Sequence, residues 1–232
     1  MNEGRLYGLT KIQSVTDTPP EGVAHSLQRK PARQSPTPPG PGRNDLFHAR
    51  VPRSFVRAVF EVMADTPQHT YQILTKRSRR LRHVARELTW PPNVWMGVSV
   101  ETPAQLYRVE DLRTVPAAVR FLSCEPLLGP IGDLNLAGSG WVIAGGESGR
   151  GHRPVAAEWV RQLRDACERQ SVPFFFKQWG GVQKSKYGRE LAGETFDEFP
   201  ATVSKDRVPP IAWRRGIVEE FNNEINSNLR CA

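Results

Sequence analysis

Five short apolar segments that each close on a charged residue constrain the fold of this chain more than any other feature. They span residues 71–76, 94–101, 119–125, 141–147 and 174–178, and in the last of them the charged residue is Lys177, next to the final Gln178. Each is rich in β-branched or aromatic residues and is bounded by Pro, Gly or Asn, which is typical of buried strands. Amphipathic stretches separate them, and this alternation predicts parallel pairing.

Charged side chains at the strand ends predict a common rim. In a parallel sheet all carboxyl ends lie on one side, where barrel and open α/β proteins place their chemistry. The residues expected there are Lys76, Glu101, Glu125, Glu147 and Lys177. Five β/α units are too few for an eight-unit barrel of roughly 250 residues. We therefore predict an α/β fold with a parallel-stranded, partial TIM-like barrel.

Four amphipathic stretches predict the helices that cover this sheet. They span residues 52–65, 78–88, 102–113 and 155–171. Ser78 is a candidate N-cap for the second. Thr102 followed by Pro103 predicts a cap with proline at the first helical position of the third.

Composition divides the chain into three parts. Residues 1–43 hold seven prolines without a hydrophobic period, which predicts a disordered segment with at most a short strand near residues 6–10. Residues 44–180 carry the partial barrel. Residues 181–232 are expected to form a C-terminal appendage of the same domain, with a partly disordered tail and a weak helix near 216–226.

Bulk properties narrow the classes of function only slightly. The net charge is +8 and the pI is near 9.8, which favours a polyanion or nucleic acid as partner but equally suits a protein with basic faces. Cys124, Cys167 and Cys231 lack metal-ligand or redox spacing, so we predict neither a metal site nor a disulfide framework. No membrane-spanning or signal-peptide pattern is visible, and a cytoplasmic location is expected.

The three strand-end glutamates are the strongest candidates for chemistry. Glu101, Glu125 and Glu147 close consecutive strands, which lie about 4.8 Å apart when they pair. With cations from Lys76 and Lys177, they could form a general acid/base or metal-assisted site. The alternative is a ring of salt bridges that only closes the sheet rim, and the sequence does not decide between the two.

Two further motifs supply candidate ligand-binding residues near this rim. One is the glycine-rich turn after the fourth strand, and the other is the end of the fifth strand. These motifs supply Gly145, Gly146, Ser148, Arg150, Gln178 and Trp179, and the second strand adds Ser99 as a further candidate. The turn does not open a helix as a phosphate loop would, so the glycines could instead allow close backbone packing. Trp179 could line a binding site or pack beneath the C-terminal appendage.

A basic helix offers a different function. Residues 76–86 hold six Lys or Arg residues and no acid, which suits phosphate binding. The candidate nucleic-acid contacts are Arg79, Arg80, Arg82 and Arg86. A solvated helix face is the alternative reading. Asp45 and His48 form one more candidate, as an orienting carboxylate and a base.

Eight short motifs, taken in order, resemble those of the phage gene product 37/gene product 68 family. They are NDLFH (44–48), LTKR (74–77), GVSVE (97–101), EPLLG (125–129), GGESG (145–149), FKQWG (176–180), GRELAG (188–193) and FDEFP (196–200). The resemblance runs from residue 44 to residue 200. It implies a phage or prophage protein.

Full members of that family carry a three-cysteine motif like that of radical S-adenosylmethionine enzymes. The resemblance therefore implies an iron–sulfur cluster and S-adenosylmethionine in full-length relatives. Residues 1–43 contain no cysteine. We therefore expect no cofactor here, and interpret the chain as a truncated remnant of such an enzyme. The alternatives are a nucleic-acid-binding accessory protein that uses the basic helix, or a non-functional fragment that needs a partner to complete its sheet.

Overall fold

The computed structural model describes residues 13–15, 45–182 and 187–201. Their strands are β1 (Gln13–Val15), β2 (Thr70–Thr75), β3 (Val94–Ser99), β4 (Val119–Cys124), β5 (Trp141–Gly145) and β6 (Phe174–Gln178). Their α-helices are α1 (Arg53–Ala64), α2 (Ser78–Val84), α3 (Tyr107–Arg113) and α4 (Ala157–Arg169). Single 3₁₀ turns lie at Ala85–Glu87 and Pro103–Gln105. The five predicted strands and four predicted helices are thus confirmed to within a few residues.

The strands form one mixed sheet in the order β1-β2-β3-β4-β5-β6. Neighbours from β2 to β6 are parallel, whereas β1 is antiparallel to β2. The prediction of a parallel α/β sheet is therefore confirmed. The sheet is open and is not closed into a barrel, although consecutive parallel neighbours are also the order found within one.

All four helices pack on one face of the sheet, where they bury a single large core. Val56, Phe60 and Met63 are the buried residues of α1, and α4 buries Val160 and Leu163 among others. These positions are three or four residues apart, which gives each helix one apolar side. The predicted role of Ser78 as N-cap is wrong. Ser78 is the first residue of α2, and its hydroxyl donates to Asp111 Oδ2 at 2.8 Å.

The opposite side of the sheet, here called the helix-free face, carries a second core made mainly of aromatic rings. Trp95, Phe121 and Trp141 are its buried members. Gly97 makes their packing possible, because a Cβ at this position would lie 2.3 Å from the ring of Phe121. The missing side chain on β3 lets the Phe121 ring lie across that strand.

The connection between β4 and β5 departs from the predicted alternation of strand and helix. Within residues 125–140 the chain forms no helix. Pro126 follows a cis peptide bond, and the glycines and a second proline that follow disfavour helix formation. Apolar side chains of this loop cover the sheet in place of a helix; they are Leu127, Ile131, Leu134 and Leu136.

Residues 196–198, here called the edge segment, run along the outer edge of β6. The Phe176 amide donates to the Phe196 carbonyl at 2.9 Å, and the Glu198 amide donates to the Phe174 carbonyl at 3.2 Å. The Glu198 carboxylate also accepts from the Phe174 amide at 2.8 Å. The backbone groups of this edge are therefore paired instead of being left open to another strand.

Several predictions fall on parts of the chain that are not described. The disordered segment over 1–43, apart from Gln13–Val15, lies outside the described residues, and so does the strand near 6–10. The helix near 216–226 and the partly disordered tail beyond residue 201 also lie outside them. Of the helices in the described ranges, none has both the length and the apolar character needed to cross a membrane.

Candidate functional site

Glu101 joins the rim through two cations. Its carboxylate pairs with Lys76 through Oε1 and with Arg108 Nη1 through Oε2, the latter at 3.1 Å. Arg108 also donates to the Ser99 carbonyl at 2.7 Å. Glu101 is 7% exposed, so the charge is buried and compensated. The structure therefore brings Lys76 and Glu101 together as predicted and adds Arg108, which the sequence analysis missed.

The path of the chain after β3 explains why Arg108 reaches this carboxylate. The Thr102 amide donates to the Gln105 side chain at 2.8 Å, and a capping box opens the turn at Pro103. The predicted cap at Thr102 and Pro103 is thus confirmed. It sets α3 close to the end of β3, so that a cation in the first turn of α3 faces back to Glu101. The sequence does carry a signal for the contact between Arg108 and Glu101. It is a cation placed one or two helical turns after the glutamate that ends a strand.

Glu125 and Lys177 form the second ion pair of the rim. Lys177 Nζ lies 3.0 Å from Glu125 Oε2, although β5 separates their strands. Two strand spacings amount to roughly 9.6 Å, which only long side chains can bridge. Gly145 of β5 lies between them, and a Cβ there would be 3.4 Å from Glu125 Cγ. The glycine therefore leaves space in which the two side chains meet.

A cavity of about 350 Å³ lies beneath this second pair, on the helix-free face. Its lining consists of Gln72, Leu74, Phe121, Ser123, Glu125, Trp141, Ile143, Phe175, Lys177 and Phe199. Ser123 also lines the cavity and is 4% exposed as a whole residue. Phe199 covers one side, with its ring centroid 5.0 Å from that of Trp141 and 5.2 Å from that of Phe175. The cavity thus combines an aromatic wall with a charged end.

Glu147 pairs with a cation of its own loop. Its carboxylate accepts two hydrogen bonds from the Arg153 guanidinium, at 2.7 and 2.8 Å, and one from the Arg153 amide at 2.9 Å. These hydrogen bonds, led by those of the side chain, lower the pKa of Glu147 to about 2. In the described part of the chain, no three His, Cys, Asp or Glu side chains lie together so as to hold a metal ion.

The predicted glycine-rich turn is held by close backbone packing. A Cβ on Gly146 would lie 1.9 Å from the Trp179 carbonyl oxygen, so only glycine fits between β5 and β6 here. The Gln178 side chain donates to Ser148 Oγ at 2.6 Å. Arg150 is exposed on the same turn. The structure thus joins Ser148 to Gln178 and gives Gly146 a structural role.

Trp179 packs beneath the C-terminal appendage. Its indole N–H donates to the Glu190 carbonyl at 2.8 Å, and its ring centroid lies 4.7 Å from that of Phe176. It also lines a separate cavity of about 280 Å³ with His152 and Tyr187, away from the cavity on the helix-free face.

The four arginines proposed for nucleic-acid binding do not share one free face. Arg82 donates to Asp111 at 3.2 Å, and Arg80 donates to the Val51 carbonyl. Arg79 lies over the Tyr107 ring, 5.3 Å from its centroid. Arg86 is exposed on the 3₁₀ turn that follows α2.

Asp45 and His48 do not form the predicted pair of orienting carboxylate and base. The Asp45 carboxylate accepts from the Thr75 hydroxyl at 2.6 Å and from the Lys76 amide at 3.1 Å. His48 Nδ1 accepts from the Arg50 amide at 3.2 Å. The hydrogen bond that joins the two runs from the His48 amide to the Asp45 carbonyl, at 2.8 Å, and does not involve either side chain. The Asp45 carboxylate instead fixes the turn at 45–50 against the end of β2.

The cysteines do not suit an iron–sulfur cluster. Cys124 and Cys167 are fully buried in the core beneath the helices, on the side of the sheet opposite the 350 Å³ cavity. Burial raises the pKa of both thiols, that of Cys167 to about 12. A cluster needs several thiolates at one place. Cys231 lies outside the described residues.

Comparisons with known proteins place the chain by family alone. The model of the family described as "Protein of unknown function (DUF5131)" matches residues 13–200, which is well over half of the chain. Neither the curated proteins nor the solved structures gave a match.

Proposed function

This chain belongs to the DUF5131 family, and we propose that it binds a small ligand in the 350 Å³ cavity on the helix-free face. The observation that carries this proposal is the lining of the cavity, which places the ion pair of Glu125 and Lys177 at one end of an aromatic wall. Ser123 adds a hydroxyl to the lining, where a ligand could bond to it. A largely apolar cavity with a few polar groups is typical of a small-molecule site.

The lining indicates the chemical class of the ligand. Lys177 would bind an anionic group and Glu125 a cationic one, so a zwitterionic head such as an amino acid is favoured. The rings of Trp141, Phe175 and Phe199 would contact an apolar or aromatic body. Both ions of the pair are partly exposed, and so separating them for a ligand costs little.

We further propose that the chain is a remnant of a radical S-adenosylmethionine enzyme of phage or prophage type. The support is the resemblance of its motifs at 44–200, together with the rim of paired Lys and Glu side chains. Because a cluster needs several thiolates at one place and the two described cysteines are buried thiols, we propose that the chain alone carries out no cluster-based radical chemistry. S-adenosylhomocysteine carries a zwitterionic amino acid and an aromatic base, which makes it a suitable probe for the ancestral ligand.

Thermal unfolding and tryptophan fluorescence test the cavity. We expect S-adenosylhomocysteine, or one of the free amino acids, to raise the midpoint of unfolding. Ser123→Ala, Glu125→Gln and Lys177→Met should each reduce this effect. Glu158→Gln, on the exposed side of α4, serves as the control. If a triple variant without Glu101, Glu125 and Glu147 keeps every ligand-induced stabilisation, the rim does not bind ligands.

Nucleic-acid binding by the basic helix is the second candidate function. Exposed Arg79 and Arg86 favour it, and Arg80 and Arg82 weaken it because their guanidinium groups donate to Val51 and Asp111. It predicts affinity for DNA or RNA that falls steeply with salt. The third hypothesis, a non-functional fragment, would be contradicted by a soluble monomer with one sharp thermal transition.

A further inference from the structure

A continuous basic groove runs between the turn at 45–53 and α2, and it includes Arg79 and Arg80 of the basic helix but neither Arg82 nor Arg86. It consists of two cavities of about 430 and 560 Å³ that share Ala49, Arg79 and Arg80. The first is also lined by Phe47, His48, Lys76, Arg77, Ser78 and Tyr107, and the second by Val51, Pro52, Arg53, His83 and Val84.

The groove has only positive charge on its walls. Lys76, Arg77, Arg79, Arg80 and Arg53 contribute cations, two histidines add titratable groups, and none of the described lining residues is an aspartate or glutamate. Lys76 and Arg53 have carboxylate partners, but these belong to residues outside the groove. Cations concentrated along a concave surface focus a positive potential and attract anions.

The fold holds the walls of the groove in place. The Asp45 carboxylate ties the turn at 45–50 to the end of β2 through Thr75. Arg80 donates to the Val51 carbonyl, which fixes the opposite wall to α2. The cationic groups of Arg77 and Arg79 are exposed at the groove, and among the described residues neither has a carboxylate partner. The groove is therefore built before an anion arrives, which reduces the entropic cost of binding.

Tyr107 supplies an aromatic surface at the end of the groove. Its side chain is 44% exposed, and the guanidinium groups of Arg79 and Arg108 lie 5.3 and 5.8 Å from its ring centroid. A partly exposed ring beside a basic groove is suited to stacking against a nucleobase.

We propose that this groove binds a run of two or more phosphate groups, with Arg77 and Arg79 as the principal contacts and Tyr107 as the surface for a base. The two joined cavities are longer than a single phosphate requires, which is why a run is favoured. A nucleoside triphosphate or a single-stranded nucleic acid could supply this chemistry. The proposal uses no residue of the cavity on the helix-free face, so its failure would leave the proposed function intact.

Binding of inorganic tripolyphosphate, ATP and a fluorescein-labelled 12-nucleotide DNA strand to the full chain tests the groove. Arg77→Gln combined with Arg79→Gln should weaken all three by about tenfold or more. Arg161→Gln combined with Arg169→Gln removes the same charge from α4, outside the groove, and should leave affinities within about twofold. For the strand, the groove variant should also reduce the slope of log affinity against log salt by about 1.4.

The pattern of results distinguishes a nucleoside triphosphate from a single-stranded nucleic acid as the ligand of the groove. It can also overturn the proposal. A Tyr107→Ala variant should weaken ATP and the strand but leave tripolyphosphate unchanged, since only the first two carry a base. Tighter binding of ATP than of the strand would indicate a nucleotide site, and the reverse would indicate a strand. The proposal is wrong if no probe binds at millimolar concentration and low salt. It is also wrong if both double variants lose affinity equally while their thermal unfolding midpoints match the wild type.

Discussion

Lys177 Nζ lies 3.0 Å from Glu125 Oε2, and the two residues reach each other across the one strand that separates them. They can do so because Gly145 of that strand has no side chain. The rim therefore consists of discrete pairs, Lys76 with Glu101 and Lys177 with Glu125, and not of one shared group of carboxylates.

A double-mutant cycle measures the pair across β5. Glu125→Gln, Lys177→Met and the double variant should show a coupling free energy of about 0.5 kcal/mol in urea unfolding, because both side chains are partly exposed. A Gly145→Leu background should abolish the coupling by filling the space between the two. Coupling that persists unchanged in that background would show that the glycine is not what lets them meet.

Gly146→Ala should destabilise the fold by about 3 kcal/mol or more, because its Cβ would lie 1.9 Å from the Trp179 carbonyl oxygen. Gly129→Ala is the matched control. Nothing lies within 4 Å of the corresponding Cβ, so the free energy of unfolding should change by no more than about 0.5 kcal/mol. Equal effects of the two substitutions in chemical denaturation would contradict the close approach of β5 to the turn after β6.

Acid should remove a contribution to stability that comes from Glu147. The hydrogen bonds from Arg153 lower the pKa of this carboxyl from 4.5 to about 2 in the folded protein. A lowered folded-state pKa stabilises above the unfolded value, so this contribution is present above pH 4.5 and is lost as pH falls from 4.5 to 2.

Chemical denaturation at several values between pH 5 and pH 2 tests whether stability falls on acidification as expected. The wild type should lose stability more steeply over this range than Glu147→Gln. In Arg153→Gln, the carboxyl titration followed by NMR should return towards the ordinary value of 4.5. If the pKa of Glu147 in the wild type is 4.5, its carboxylate is not paired with Arg153 as described.

The thiols of Cys124 and Cys167 should be unreactive in the folded protein. Burial raises the pKa of both, and a thiol that stays protonated and inaccessible is a poor nucleophile. In a Cys231→Ser variant, a thiol-specific disulfide reagent at pH 8 should label neither cysteine until denaturant is added, and both afterwards. Rapid labelling of the native protein would show that the core beneath the helices opens.

The helices and strands were predicted well because the apolar residues of each one recur at the period of a helix or a strand. Proline and glycine mark many of the segment ends. Parallel pairing also implied that Lys76 and Glu101 would meet. The pairing of Glu147 with Arg153 was not predicted, since both residues lie in the loop after β5, beyond the register shift between Ala144 and Gly145. Ser78 failed as a cap because Asp111, 33 residues away, accepts its hydroxyl hydrogen.

The site was less predictable than the fold because its partners come from different elements. Arg108 belongs to a helix, and only the capped turn at Thr102 brings it back to Glu101. The cavity depends on Phe199, which arrives through the edge segment that pairs with β6. Contacts of this kind follow from tertiary packing and leave no periodic signal in the chain.

The consecutive order of the parallel strands has a consequence for synthesis. Each strand from β3 to β6 pairs with the one made just before it, so the sheet can extend in one direction as the chain leaves the ribosome. Pairings between neighbours in sequence keep the loops to be closed short, which lowers the entropic cost of closing each one. The edge segment is made after β6, and until it emerges the outer edge of β6 stays unpaired.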